Sequence, residues 1–80
     1  MLDEALEHLV KGIVEHPDDV RVRERTLRRG RALEVLVHPD DLGKVIGRGG
    51  RTAKALRTVL AALDGGRAVR VDFLDVDEIR

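Results

Sequence analysis

Cysteine and serine are both absent from the 80 residues. Without cysteine there are no disulfides and no thiolate metal sites. Without serine, the side-chain nucleophiles shrink to Thr26, Thr52 and Thr58, and no catalytic constellation surrounds any of them. Aromatic residues number one, Phe73, which excludes a platform of several stacked rings. The longest unbroken apolar run, Val59 to Leu63, is far too short to span a bilayer. The opening Met1-Leu2-Asp3-Glu4 lacks the basic region of a signal peptide, so a cytoplasmic location with no membrane partner is expected. The length allows one small domain, over residues 1–80, and no second.

Net charge is also absent, with 15 basic residues against 15 acidic ones. The distribution is uneven, however. Residues 1–19 hold six acids and one base, and residues 72–80 hold four acids and one base. Between them, residues 43–57 hold Lys44, Arg48, Arg51, Lys54 and Arg57 with no acid. An anion responds to this local field and not to the total.

What is present is regular patterning. Leu2, Leu6, Leu9 and Ile13 recur at helical spacing, widened by Val10 and Val14, and predict a helix over 2–15 that Pro17 stops. Val20 and Val22 alternate with Arg21, Arg23 and Arg25, which predicts a strand over 20–28. The alternation fails at Thr26-Leu27, where a bulge or the strand's end is expected. Arg29-Gly30 suits a hairpin turn, and residues 31–37 form the next strand with Leu33, Val35 and Val37 on one face. Pro39-Asp40-Asp41 starts a short helix that Gly47 ends, with Leu42, Val45 and Ile46 as its apolar residues. A longer helix follows Gly50. Its stripe is Ala53, Leu56, Val59 or Leu60, and Leu63, and Asp64-Gly65-Gly66 terminates it. Residues 67–74 read as a third strand with Val69, Val71 and Phe73 facing the core, and residues 75–80 as a frayed tail. The order is α-β-β-α-α-β. The first two strands pair as a hairpin, and the third, after a helical crossover, runs parallel to the second.

The stretch most informative about chemistry joins the two later helices. Gly47, Gly49 and Gly50 surround Arg48, and Lys44, Arg51 and Lys54 flank them. Glycine admits positive φ and lets another backbone approach closely. The loop leads into a helix N-terminus, whose unpaired N–H groups favour a phosphate. A dinucleotide fingerprint begun at Gly47 would need glycine at Thr52, and a phosphate-binding Walker loop begun at Gly43 would need glycine at Arg48. Neither motif is present.

The run Val45-Ile46-Gly47-Arg48-Gly49-Gly50 resembles the V-I-G-x-x-G signature of the KH family. Too few residues follow it for the β-α-α-β-β-α arrangement, and the observed order fits type II. The runs from His16 to Val22, from His38 to Gly47 and from Ala53 to Val59 are similar to the KhpA family, also called YlqC, of small bacterial single-KH RNA-binding proteins. That resemblance covers nearly the whole chain. It implies an α+β type II KH domain in which three helices cover one face of a three-stranded sheet. It further implies single-stranded RNA as partner, an RNA-chaperone or post-transcriptional role, and a homodimer or a heterodimer with a larger KhpB-like protein. By the same resemblance, Gly47, Arg48, Gly49 and Gly50 clamp the RNA backbone, with Lys44, Ile46, Arg51 and Lys54 beside them. Gly49 departs from the many KH loops that carry a polar or basic residue there.

Other residues read more simply. For Ile46, Val45 and Leu42, core packing is the default beside any role in the groove, and Phe73 is expected in the core. The scattered His8, His16 and His38 do not suggest a metal site, and no cofactor is expected. Asp18, Asp19, Asp40 and Asp41 sit on turns and helix starts, where capping explains them. Arg21, Arg23 and Arg25 read as a solvated strand face, with a secondary RNA contact as the lesser reading. The alternative to RNA binding is a protein-interaction subunit that uses the fold mainly to dimerise.

Overall fold

In a computed structural model, which describes residues 2–28, 30–67 and 69–77, the elements follow the expected order. Helix α1 (Leu2–Lys11) is followed by strands β1 (Arg21–Leu27) and β2 (Gly30–Val37). Helices α2 (Leu42–Ile46) and α3 (Arg51–Leu63) and strand β3 (Arg70–Asp75) complete it. Short 3-10 turns at Pro17–Asp19, Pro39–Asp41 and Arg48–Gly50 precede β1, α2 and α3.

The sheet order is β1-β2-β3. β1 and β2 are antiparallel, and β2 and β3 are parallel across the α2–α3 crossover. Pairing is unbroken from Arg21 opposite Leu36 to Leu27 opposite Gly30, so there is no bulge at Thr26-Leu27, and the strand ends at Leu27 as the other expectation had it. The lapse in alternation has a simpler cause. β1 is an edge strand exposed along most of its length, and period-2 burial is not demanded of it. Gly30 opens β2 with φ 110°, and Arg29 lies outside the described residues.

Leu33, Val35 and Val37 of β2 point into the core with Val71 of β3, and Leu6, Val10, Val45, Leu56 and Leu60 cover them from the helices. Fully burying a side chain of this size contributes roughly 1.5–3 kcal/mol. α1 stops at Lys11, earlier than the apolar spacing predicts. The Gly12 N–H splits between the His8 and Leu9 carbonyls, and the Ile13 N–H bonds to Val10 in a tightened turn. The buried row is therefore Leu2, Leu6 and Val10, with Leu9 at its flank and Ile13 36% exposed. In α3 the buried row is Ala53, Leu56 and Leu60. Leu63, expected in it, is 60% exposed, as is Val59 at 43%.

The Asp64–Gly66 turn ends α3 as expected. The Gly66 N–H reaches back to the Ala61 carbonyl at 2.7 Å, and the turn extends to Arg67, so β3 starts at Arg70 and not at residue 67. β3 continues to Asp75, and the Val76 N–H donates to the Val37 carbonyl at 2.8 Å. The chain thus stays in the sheet past the point where fraying was expected, and residues 78–80 lie outside the described ones.

The sheet face away from the helices carries Arg21, Arg23 and Arg25, all exposed. Ala32 and Leu36, on that same face of the central strand, are nonetheless buried, as the long stems of neighbouring arginines can shield them. Arg25 Nη1 lies 3.4 Å from Glu34 Oε2, and Arg70 Nε lies 3.2 Å from Asp72 Oδ2.

Candidate nucleic-acid interface

The loop between α2 and α3 is built by three glycines with two different duties. Gly47 closes α2, donating its N–H to the Gly43 carbonyl at 2.9 Å, and takes φ 78° and ψ 168°. A Cβ there would collide with the Thr52 side chain and stand 2.7 Å from the Thr52 nitrogen, so this glycine lets the loop lie against the first turn of α3. Gly49 and Gly50 have φ 65° and 77°, yet a Cβ on either would meet nothing within 4 Å. Their left-handed backbone favours glycine, and the space around them is open. The result is bare main chain leading into the N-terminus of α3.

Arg48, Arg51 and Lys54 surround this bare segment. All three are exposed, and among the described residues none of their side chains has an ion-pair or hydrogen-bond partner. Lys44 differs, since its Nζ lies 2.6 Å from Glu15 Oε1. That pair is exposed, worth at most about 1 kcal/mol, and readily exchanged for another anion. Arg57, which no site reading had singled out, is the most constrained cation. Its Nη2 donates to the Val71 carbonyl at 3.0 Å, and its guanidinium carbon lies 5.9 Å from the Phe73 ring centroid. Its place in the basic run was visible in the sequence, but its anchoring by β3 was not.

Beside the loop lies an open groove of about 450 Å³. Ile46, Ala53, Phe73 and Leu74 supply its apolar lining, Gly50 stands at the loop end, and Arg57 also lines it. Glu34 and Asp72, from β2 and β3, form an acidic rim. Ile46 is 37% exposed while its neighbour Val45 is fully buried, so core packing holds for Val45 and fails for Ile46. One step along so short a helix turns the side chain by roughly a quarter circle, from core to groove. Leu42 is half-buried against the core. Phe73 also packs on the core but only partly, and it lends the groove its one aromatic surface. Lys44 and Ile46 thus lie on α2, Arg48 in the loop, and Arg51 and Lys54 in the first turn of α3, while of the cations Arg57 is the one that lines the groove itself.

The elements that carry this site are tied down by Asp41. This residue is fully buried and does not cap its own helix, contrary to the reading from its position. Instead it receives the Glu15 N–H at 3.2 Å, the His16 N–H at 2.9 Å and His16 Nδ1 at 3.0 Å. Burial pushes its carboxyl up. These hydrogen bonds and the nearby imidazole outweigh that and hold it below the ordinary value. The arrangement joins the chain after α1 to the start of α2. Here two of the three histidines, His16 and His38, are brought together. The His16 and His38 rings stack at 3.9 Å and 13°. His16, His38 and Asp40 offer ligand atoms within 4.8 Å of one another. His16 Nδ1 is committed to Asp41, however, and His38 Nδ1 accepts the Asp40 N–H at 3.0 Å. Near-parallel rings also aim their in-plane lone pairs alongside each other rather than at one point, so the trio is not a preformed metal site.

Comparison with known proteins agrees with this geometry. Residues 3–73 match the family described as KhpA/KhpB, KH domain. The chain is 75% identical over 80 residues to the RNA-binding protein KhpA of Streptomyces coelicolor, spanning 100% of both. It is 68% identical over 75 residues to the RNA-binding protein KhpA of Mycobacterium tuberculosis, covering 94% of this chain and 92% of that one. Among solved structures, a crystal structure of Era in complex with MgGDPNP and nucleotides 1506-1542 of 16S ribosomal RNA superposes with a TM-score of 0.65. At 18% identity, over 92% of this chain and 29% of that one, it shares the fold alone. No helix among the described residues is long and apolar enough to cross a membrane.

Proposed function

The chain belongs to the KhpA/KhpB family of KH domains, and from that premise we propose that it binds single-stranded RNA through the Gly47–Gly50 loop and the groove beside it. The observation that carries this reading is the bare main chain at Gly49 and Gly50, ringed by three cations without partners. A sugar-phosphate backbone fits there: the open main chain lets phosphates approach closely, and Arg48, Arg51 and Lys54 neutralise them. The bases then fall toward Ile46, Ala53 and Phe73. Lys44 joins when a phosphate replaces Glu15. The relatives named as RNA-binding proteins support the same partner, and support a binding protein rather than an enzyme. We read its role as that of an RNA chaperone or post-transcriptional regulator, acting in the cytoplasm as one domain over residues 1–80.

The test is a double variant, Gly49→Asp with Gly50→Asp. Aspartate tolerates the left-handed backbone better than most residues, and both positions have room for a side chain. RNA binding should be lost because carboxylates occupy the place of phosphates, while circular dichroism shows the fold retained. Unchanged RNA affinity in the folded variant would falsify the loop assignment.

A second reading, a protein-interaction subunit, is favoured by one observation. Val59 and Leu63 are large apolar residues exposed on the outer face of α3, with the exposed Ala55 and Ala62 in the same row. This face suits a second copy of the chain or a larger KhpB-like partner. The two readings are compatible, since pairing two weak RNA sites raises their joint affinity.

A further inference from the structure

The groove is bounded by opposite charges, and only one of its rims is used by a phosphate clamp. Glu34 and Asp72 stand on the other. They are direct partners across β2 and β3, so their backbones are only about 4.8 Å apart. The Glu34 side chain is only 19% exposed. Its Oε2 faces Arg25, but Oε1 has no partner among the described residues. An ionised carboxylate accepts hydrogen bonds and donates none. Arg70 Nε lies 3.2 Å from Asp72 Oδ2, so Glu34 Oε1 is the oxygen of this rim left open to the bases of a strand whose phosphates are held at the loop.

We propose that Glu34 and Asp72 select among bases, favouring those that turn an amino group toward the rim, and cytosine over uracil in particular. This inference rests on the RNA reading above and adds a preference to it. Cytosine and uracil have rings of the same size and fill the groove alike. They differ at C4, where cytosine carries an amino donor and uracil a carbonyl acceptor. The amino group completes the free valence of Glu34, as carboxylates do with cytosine N4 elsewhere. The carbonyl sets lone pair against lone pair. A hydrogen bond to a charged group, made in one case and opposed in the other, corresponds to about a tenfold difference in affinity.

The experiment measures fluorescence anisotropy with oligocytidine and oligouridine of about eight nucleotides at one salt concentration. The proteins are the wild type, Glu34→Gln with Asp72→Asn, and each of these substitutions alone in case the double variant fails to fold. The wild type should bind oligocytidine about tenfold more tightly. In the amide variants, which can donate to the uracil carbonyl, the ratio should narrow to about twofold or less. The inference is overturned if the wild type binds both alike. It is also overturned if the variants bind both more tightly with an unchanged ratio, because the acids then act only by repelling phosphates. Either result leaves RNA binding through the loop standing. Failure of the wild type to bind either oligonucleotide overturns both readings together.

Discussion

Two residues near the loop show how a side chain, or the lack of one, fixes the site. Gly47 lies where a Cβ would strike Thr52, whereas Gly43, one turn earlier in α2, has ordinary helical φ and nothing within 4 Å of a Cβ. Gly47→Ala should therefore destabilise the fold by about 1–3 kcal/mol, while Gly43→Ala should be neutral or stabilise it by about 0.4–1 kcal/mol. Urea melts of the two variants check the contrast, and equal effects would contradict the close approach at Gly47. Asp41 makes a different demand. Its carboxyl is held below the ordinary value, so its contribution to stability is present above the unfolded pKa and disappears as pH falls through the lower folded one. Asp41→Asn turns an amide toward donors that need an acceptor. Its melting temperature should fall well below that of the wild type at neutral pH, and the gap should close below about pH 4. A gap that stays constant with pH would show that the carboxylate charge is not what matters. The glycines of the loop were legible in the sequence because their spacing is local. Asp41 was not, because its partners Glu15 and His16 lie some 25 residues upstream and only the fold brings them near.

Among the elements, order and type were readable where punctuation was strong. Pro39, Gly47 and the Asp64–Gly66 turn bound the later helices as their chemistry requires, whereas α1 stops at Lys11, well before Pro17. Periodicity also picked out Leu33, Val35 and Val37 as one face of β2. It was a weaker guide to which apolar residues end up covered. A period places a residue on a face of its helix but does not say whether a neighbour reaches that far. Leu63, in phase with Leu56 and Leu60, is 60% exposed. The proposed association surface of α3 rests on that exposure. The free edge of β1, lined by Arg21, Arg23 and Arg25, discourages pairing edge to edge, so assembly is expected through the helical layer. Sedimentation across a concentration series should show a dimer of the wild type. Val59→Lys with Leu63→Glu should shift it to monomer while leaving the thermal melt at low concentration nearly unchanged. A wild type that stays monomeric at high micromolar concentration and captures no KhpB-like partner would leave only the monomeric binding module.

At the scale of the whole molecule, zero net charge conceals a polarised surface. The Arg48, Arg51 and Lys54 side chains are exposed without partners among the described residues, and Glu34 and Asp72 mark the far side of the groove. Binding should weaken as salt rises despite the neutral total. With two to four phosphates neutralised on a single strand, the slope of log affinity against log salt should be roughly −1.4 to −2.8. Equilibrium titrations at several salt concentrations give this number, and a slope near zero would rule out an electrostatic clamp. The position of the site within the chain has its own bearing on how the protein is made. Loop and helices belong to the crossover between two parallel strands, and the groove is completed only by Phe73, Leu74 and Asp72 of β3. A chain growing on the ribosome displays its glycine loop early, but β3 has yet to emerge. Until β3 has settled beside β2, the chain carries the signature of the site without the cleft.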